Sequence, residues 1–262
     1  MIEKTPLLKV DRVGIQFGGL KAVSNANLVL NTGELVGLIG PNGAGKTTFF
    51  NLLTGVYPPT EGVITFKGER LHGLKPYQIT RKGISRTFQN IRLFNELSVL
   101  DNVKVAYHSL AKHSIFSSVL RLPGHFNGEK EMEEKAIDFL KIFNLEKYAD
   151  EKAKNLPYGQ QRRLEIARAL AAQPKLLLLD EPAAGMNPHE TQELMNLISF
   201  IREKLSLTVL LIEHDMQLVM GVCERIYVLD HGNLIAQGTP DEIRNNPKVI
   251  EAYLGEEVPQ HA

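Results

Sequence analysis

The run Gly40-Pro41-Asn42-Gly43-Ala44-Gly45-Lys46-Thr47 fits G-x-x-x-x-G-K-[ST], the pattern of a phosphate-cradling loop. It constrains the fold because it works only between a strand and a helix. Leu35-Val36-Gly37-Leu38-Ile39 precedes it, an apolar run of the right length for a buried strand. Thr48, Phe49, Phe50, Leu52 and Leu53 follow, an apolar helix face stopped by Gly55. Gly43 and Gly45 let the backbone turn its N–H groups onto phosphate oxygens, where a Cβ would interfere. The helix start adds free donors and the positive end of a dipole. Lys46 is placed to reach the β- and γ-phosphates and the Thr47 hydroxyl to bind Mg²⁺. The loop specifies a nucleoside triphosphate and no more, since kinases, GTPases and transport ATPases all use it.

The chain has 262 residues, of which 43% are hydrophobic, enough for one large α/β domain or a domain carrying an inserted subdomain. Its 30 basic and 30 acidic residues cancel, which argues against bulk electrostatic binding to nucleic acid or anionic lipid. A single cysteine, Cys223, excludes an intrachain disulfide and reads as a buried, inert thiol. The first residues hold no apolar run of signal-peptide length, and no stretch approaches the ~18 apolar residues of a membrane span. The expectation is a chain that meets a membrane only through partners.

Along the chain, Leu7 to Val10, Gly14 to Phe17 and Ala26 to Leu30 read as short strands separated by turns at Asp11-Arg12 and Gly18-Gly19. They suggest an antiparallel layer beside the loop. Phe17, before the double glycine, reads first as a core ring and second as a ring that stacks on a base. Ile84 to Phe88 is a strand ending at Gln89, either a surface amide or a metal- or water-binding group beside a nucleotide. From Leu97 the pattern turns helical. Val99 to Ala106 reads as a helix, Ser114 to Gly128 as irregular, and Met132, Ala136, Phe139, Leu140 and Phe143 recur at helical spacing opposite a solvated Glu129 to Lys135 charge run.

Leu156-Pro157-Tyr158-Gly159-Gln160 then opens another helix, which is either an ordinary start or a second anion-binding end. Leu176 to Leu179 ends in Asp180-Glu181, a buried strand delivering acid to a sheet edge. Adjacent carboxylates point to opposite sides, so Asp180 can hold Mg²⁺ while Glu181 polarises a water. Leu207 to Ile212 ends likewise at Glu213-His214-Asp215. Asp230-His231-Gly232-Asn233 signals a hairpin, and Thr239-Pro240-Asp241-Glu242 a capping box.

Taken in order, these residues resemble the nucleotide-binding subunit of ABC transporters. Residues 40 to 47 look like Walker A, Gln89 like the Q-loop, 156 to 160 like the signature motif and 176 to 180 like Walker B. Glu181 falls on the catalytic glutamate, His214 on the switch histidine and Phe17 on the aromatic that stacks on adenine. The stretches 156–168, 181–188, 212–216 and 246–255 resemble the ATPases of branched-chain amino acid importers, with lipopolysaccharide-export ATPases as the nearest competitor. Two features depart from the general pattern. Pro157 and Tyr158 stand where serine and glycine are usual, and Asn187 stands at the D-loop aspartate.

The resemblance implies an α/β P-loop NTPase with a RecA-like mixed-sheet core, an N-terminal antiparallel layer and an inserted helical subdomain. Residues 1–96 and 160–240 would form the core, about 97–159 the helical subdomain ending in the signature motif, and 241–262 the C-terminal helices and tail. ATP and Mg²⁺ are the implied cofactors. Phe17, Gly40, Pro41, Asn42, Gly43, Ala44, Gly45, Lys46, Thr47, Thr48, Gln89 and Asp180 would bind nucleotide, with Thr47, Gln89 and Asp180 at the metal. Tyr158, Gly159 and Gln160 would contribute from across a head-to-tail dimer, and Glu181 and His214 would be catalytic. The implied partners are two transmembrane permease subunits, a second ABC ATPase in a heterodimer rather than a homodimer, and indirectly a solute-binding protein, with no nucleic acid. The implied place is the cytoplasmic face of the membrane. An ABC-type ATPase acting on ribosomes or nucleic acid is the rival from another class, but its usual second ATPase domain, long coiled coil and basic arms are not in this sequence.

Overall fold

The computed structural model describes residues 6–108 and 123–254. Its centre is a six-stranded sheet of order β10-β9-β3-β8-β7-β6, built from β3 (Leu35–Ile39), β6 (Ile84–Arg86), β7 (Leu176–Asp180), β8 (Thr208–Ile212), β9 (Arg225–Asp230) and β10 (Asn233–Gly238). The run from β9 to β6 is parallel, and β10 closes the edge as an antiparallel hairpin.

Parallel strands covered on both faces read as unbroken apolar runs, which is why β3, β7 and β8 show no polar alternation. The pleat nevertheless divides them. Val36, Leu38, Leu176, Leu178, Leu210 and Ile212 pack into one core cluster, and Leu35, Ile39, Leu177, Leu179, Val209 and Leu211 pack into another. The first cluster also holds Phe49 and Phe50 of α1 (Lys46–Leu53) and the inner face of a four-stranded antiparallel sheet of order β2-β1-β4-β5. That sheet comprises β1 (Pro6–Phe17), β2 (Leu20–Asn31), β4 (Glu61–Phe66) and β5 (Glu69–Arg70). The antiparallel layer expected beside the phosphate loop is therefore present.

One turn expected from the sequence is not a turn. Asp11-Arg12 lies inside a continuous β1 as an irregularity: the register with β2 shifts between Val10 and Val13, and that with β4 between Asp11 and Gly14. Arg12 takes φ +47 there, and its N–H donates to Asn27 Oδ1 at 3.0 Å. A bulge lets the strand keep the same two neighbours on either side of the defect. The Gly18-Gly19 turn stands as expected, with Gly18 at φ +56.

Helix α2 (Pro76–Lys82) precedes β6, and the helical stretch that follows consists of α3 (Val99–His108), α4 (Pro123–Ile142) and the start of α5 (Tyr158–Ala171). Pro123 opens a helix, as proline does at a first turn, so the part of the expected irregular region from 123 to 128 is helical instead; 114–122 lie outside the described residues. Glu133, Glu134 and Lys135 are exposed, and the side chains earlier in that charge run lie outside the described ones. Val99, Val103, Ala136, Leu140 and Phe143 join the same core cluster as Leu164, Leu177 and Leu211. The helical segment thus shares its core with the far face of the central sheet.

The chain continues through α6 (Pro188–Leu205), α7 (Met216–Val222), α8 (Pro240–Arg244) and α9 (Pro247–Leu254). The capping box read at Thr239 is formed, with Thr239 Oγ1 accepting from Glu242 N and Glu242 Oε2 accepting from Thr239 N. Cys223 is buried, and that burial pushes its thiol up to about 12, which leaves it inert at neutral pH. Among the described residues no helix is long and apolar enough to cross a membrane.

Candidate functional site

Strands β3, β8, β7 and β6 are neighbours in that order and run the same way, so their C-terminal ends open at one edge, about 4.8 Å apart. The loop 40–45 follows β3, Glu213-His214 follows β8, Asp180 ends β7 with Glu181 after it, and Gln89 stands three residues beyond β6. Ligands of open α/β sheets bind at such an edge.

The loop's glycines do different work. Gly43 takes φ +76 with open space around it, whereas a Cβ on Gly40 would lie 1.9 Å from the Leu229 carbonyl oxygen and one on Gly45 2.5 Å from that of Ala22. Gly40 and Gly45 are thus demanded by packing against neighbouring backbone as well as by dihedral angle. The β9–β10 hairpin braces the loop: Gly232 N donates to Ala44 O at 2.9 Å, and Ser24 N to Gly232 O at 2.8 Å. Gly45 caps α1 without a side-chain hydrogen bond, and Pro157 caps α5 in the same way. By contrast, α6, α7 and α8 each begin with a side chain that accepts a first-turn N–H. An N-terminus without such a cap keeps donors for an anion. Pro41 and Ala44 are buried, Asn42 and Thr47 are exposed, and Thr48 is half-buried. The buried Lys46 ammonium lies over the loop, donating to the carbonyls of Gly40 at 2.6 Å and Pro41 at 2.8 Å.

The two carboxylates diverge as the pleat requires. Asp180 is buried on the α1 side, where its Oδ2 accepts from Arg86 Nη2 at 2.7 Å. Arg86 Nη1 also donates to Asn51 Oδ1 of α1 at 2.6 Å, and the guanidinium lies over the rings of Phe50 and Phe88. Glu181 turns into the left-handed region at φ +46 while its N–H still donates to Ile212 O at 2.9 Å. That twist ends the strand and presents the Glu181 carboxylate at the edge. Its Oε2 accepts from Gln89 Nε2 at 3.0 Å and lies 3.6 Å from His214 Nδ1. Gln89, Glu181 and His214 are therefore brought together, with Asp180 on the other side of the same strand end.

Glu213 is a residue that the sequence reading passed over. It is buried, Oε1 accepting from Ala183 N at 3.0 Å and Oε2 from His214 N at 3.3 Å. Burial raises its carboxyl above the ordinary value, opposed in part by those backbone bonds and by His214. Arg86 was also passed over, and its signal was present. It occupies the same side of β6 as Ile84, an inward position where a charge needs a partner.

The first turn of α5 does not reach the 40–47 loop of its own chain through Tyr158. The Tyr158 hydroxyl donates to Ala184 O at 2.9 Å, in the loop after Glu181. Gly159 lies beside Glu190, and Gln160 N donates to Pro157 O at 3.0 Å. Asn187 caps α6: its Oδ1 accepts from Glu190 N at 3.0 Å, and its N–H donates to Glu190 Oε2 at 3.1 Å. The aspartate expected at that position is thus replaced without loss of the cap. Phe17 is 44% exposed and meets Tyr57 edge to face at 5.1 Å. The core reading of Phe17 is overturned, since its ring is available to a planar ligand.

Among the described residues no group of three or more His, Cys, Asp and Glu could hold a metal by itself. A nucleotide-bound Mg²⁺ does not need one, because phosphate oxygens complete its shell. The Thr47 hydroxyl and the Asp180 carboxylate are hard oxygen donors that suit it, and the capless glycine cradle suits a polyphosphate.

A family model described as ABC transporter matches residues 23–184. A second, described as branched-chain amino acid ATP-binding cassette transporter, matches residues 233–259. The chain is 53% identical to the high-affinity branched-chain amino acid transport ATP-binding protein LivG of Escherichia coli K12, over 96% of this chain and 98% of that relative. It is 37% identical to the lipopolysaccharide export system ATP-binding protein LptB of the same organism, over 92% of this chain and 94% of that one. Among solved structures, MJ1267, an ATP-binding cassette of an ABC transporter in its ADP conformation, aligns with a TM-score of 0.83 at 32% identity, over 96% of this chain and 99% of that one.

Two outcomes are expected from this geometry. Arg86→Met leaves Asp180 buried without its cation and lowers unfolding stability by about 3–5 kcal/mol, measured by urea titration; a loss within error of zero contradicts the pairing. A carboxyl that protonates more readily in the folded chain, as Glu213 does, adds stability below its ordinary value of 4.5, and the addition is lost as pH rises through its raised value. The urea midpoint of the native chain therefore falls relative to Glu213→Gln as pH increases from 4.5 upward. Parallel pH profiles for the two proteins rule this out.

Proposed function

Because the chain belongs to the ABC transporter ATP-binding family, we propose that it is the ATP-hydrolysing subunit of an importer of branched-chain amino acids. The observation that carries the catalytic part is the convergence of Gln89 and His214 on one oxygen of Glu181. A carboxylate held by one amide donor at a sheet edge, with an imidazole 3.6 Å away and a phosphate loop beside it, is placed to orient a water and take its proton. Lys46 exchanges the Gly40 and Pro41 carbonyls for phosphate oxygens, and the N–H groups of 43–48 hold the rest of the anion. Thr47, Gln89 and Asp180 would hold Mg²⁺, and the ion would supply positive charge against the phosphate oxygens. Phe17 stacks on the base, and His214 senses the terminal phosphate from beside Glu181.

The helix starts at Gly45 and Pro157, both without a side-chain cap, suit one triphosphate gripped from both ends, so the working unit is a head-to-tail dimer. Tyr158, Gly159 and Gln160 of each subunit face the nucleotide of the other. Pro157 brings neither hydroxyl nor N–H, which leaves the backbone donors of 158–160 for that contact. The second subunit is a related ATPase rather than a copy of this chain. Two membrane permeases would sit on the helical segment, where Phe94, Leu97 and Val105 are exposed, and a solute-binding protein would deliver cargo to them from the far side. The protein then works peripherally at the cytoplasmic face. Higher identity to LivG than to LptB, together with the match at 233–259, favours amino acid import over lipopolysaccharide export.

Glu181→Gln is expected to keep ATP binding while steady-state hydrolysis falls about 10²–10⁴-fold; near-normal turnover removes Glu181 from its role. Lys46→Ala should weaken Mg·ATP binding about 10–100-fold in a calorimetric titration, and unchanged affinity would count against the loop assignment. For transport, tagged Glu181→Gln chain is captured with ATP and Mg²⁺ from detergent-solubilised host membranes. Two permeases, a second ATPase and an amino acid-binding protein are the expected company. Lipid-export partners or ribosomal proteins in their place sink the importer reading.

A further inference from the structure

Arg162, on the second turn of α5, is fully buried. Removing a guanidinium from water costs several kcal/mol unless its donors are met; here Nε has no partner, and both Nη groups are met by a particular set of groups. Nη1 donates to Phe88 O at 2.7 Å and Glu165 Oε2 at 2.8 Å; Nη2 donates to Gln89 O at 2.7 Å and the Tyr158 hydroxyl at 3.3 Å. Glu165 Oε1 in turn accepts from Arg92 N at 3.1 Å. A planar, rigid fork fixes the orientation of two consecutive carbonyls, and those carbonyls belong to the peptides that carry Gln89. The Tyr158 hydroxyl passes the connection on to Ala184 O at 2.9 Å. Gly185, at φ +79, lets the chain run under the ring, where a Cβ would stand 3.3 Å from it. Because Gln89 also donates to Glu181 through its side chain, the contacts form a closed circuit: Gln89 side chain, Glu181, the backbone to Ala184, Tyr158, Arg162 and back to the Gln89 backbone.

We propose that Tyr158 and Arg162 are positioning residues that fasten the signature helix to the two loops flanking the catalytic edge, so that movement at the start of α5 shifts Gln89 and Glu181 of the same subunit. This rests on the dimer reading above, in which that helix start meets the partner's nucleotide. It also gives the tyrosine a reason. A glycine at 158 could offer only its N–H to phosphate, whereas Tyr158 adds an intrachain tether that runs directly to the loop after Glu181.

The test uses the full-length chain, Tyr158→Phe and Arg162→Lys, with hydrogen exchange, Mg·ATP binding and steady-state hydrolysis read side by side. Tyr158→Phe is expected to speed exchange at residues 183–186, and Arg162→Lys at both 88–92 and 183–186, with nucleotide affinity unchanged. Loss of the hydroxyl's bonds to Ala184 O and from Arg162 Nη2 is expected to lower kcat about 3–10-fold for Tyr158→Phe, with KM for ATP unaltered. Exchange changes confined to residues 158–162, or a raised KM with kcat intact, overturn the proposal, since the first leaves no connection and the second gives the Tyr158 hydroxyl, and not only its backbone N–H, to the nucleotide. A native chain that binds no ATP defeats the functional reading above, while the exchange comparison, run without nucleotide, still decides whether the circuit exists.

Discussion

The parallel register of β3, β8, β7 and β6 is the constraint on which everything else depends. Leu38 lies opposite Ile212, Ile212 opposite Asp180, and Leu178 opposite Arg86. With those rows aligned, the four strands end at one edge without further adjustment. The pleat then sends Asp180 towards α1 and leaves Glu181 to turn away. A one-residue slip of β7 would carry Asp180 to the other face, away from Arg86 and into the second apolar cluster, so the buried carboxylate helps to hold the register of the site.

Charge inside this core is organised around arginines. Arg86 joins Asp180 to Asn51 of the phosphate-loop helix. Arg162 joins α5 to the backbone of the Gln89 loop, and Arg225 joins Glu34 to the Val29 carbonyl at the start of the sheet. Buried ion pairs are weak sources of net stability but costly to break. The first two sit where two elements of the site must keep a fixed separation, which gives them a geometric role beyond any energetic one, while the Arg225 pair ties strands together at the opposite end of the sheet.

Much of this was legible in the chain before folding. Apolar runs with acidic or polar ends gave away the central strands and the edge, because burial on both faces leaves no polar alternation to confuse the reading. The Gly40 to Thr47 spacing located the loop, but it did not reveal that Gly40 and Gly45 are held by contacts with Leu229 and Ala22, residues distant in sequence. The Arg12 bulge was misread as a turn, since charged residues beside a positive φ mark either. From its own context Phe17 reads inward, because one aromatic at a strand end carries no sign of which face it occupies, and only the resemblance marks it as a stacking ring. Arg162 with Glu165 was visible only as an i,i+3 charged pair in a mostly apolar stripe. Its partners are backbone carbonyls, which no side-chain pattern announces.

The arrangement of strands around β3 also bears on how the protein is made. β3 lies near the start of the chain, yet both of its neighbours, β8 and β9, begin at Thr208 and Arg225, and the hairpin that braces its loop follows them. During synthesis the phosphate-loop strand therefore waits, apolar and unpaired along both edges, until most of the chain has left the ribosome. The antiparallel layer of β1, β2 and β4 completes far sooner, from local pairings. Non-local parallel pairing is slow and leaves strand edges open to misassociation, so the nucleotide-binding loop is among the last parts of the molecule to acquire its shape.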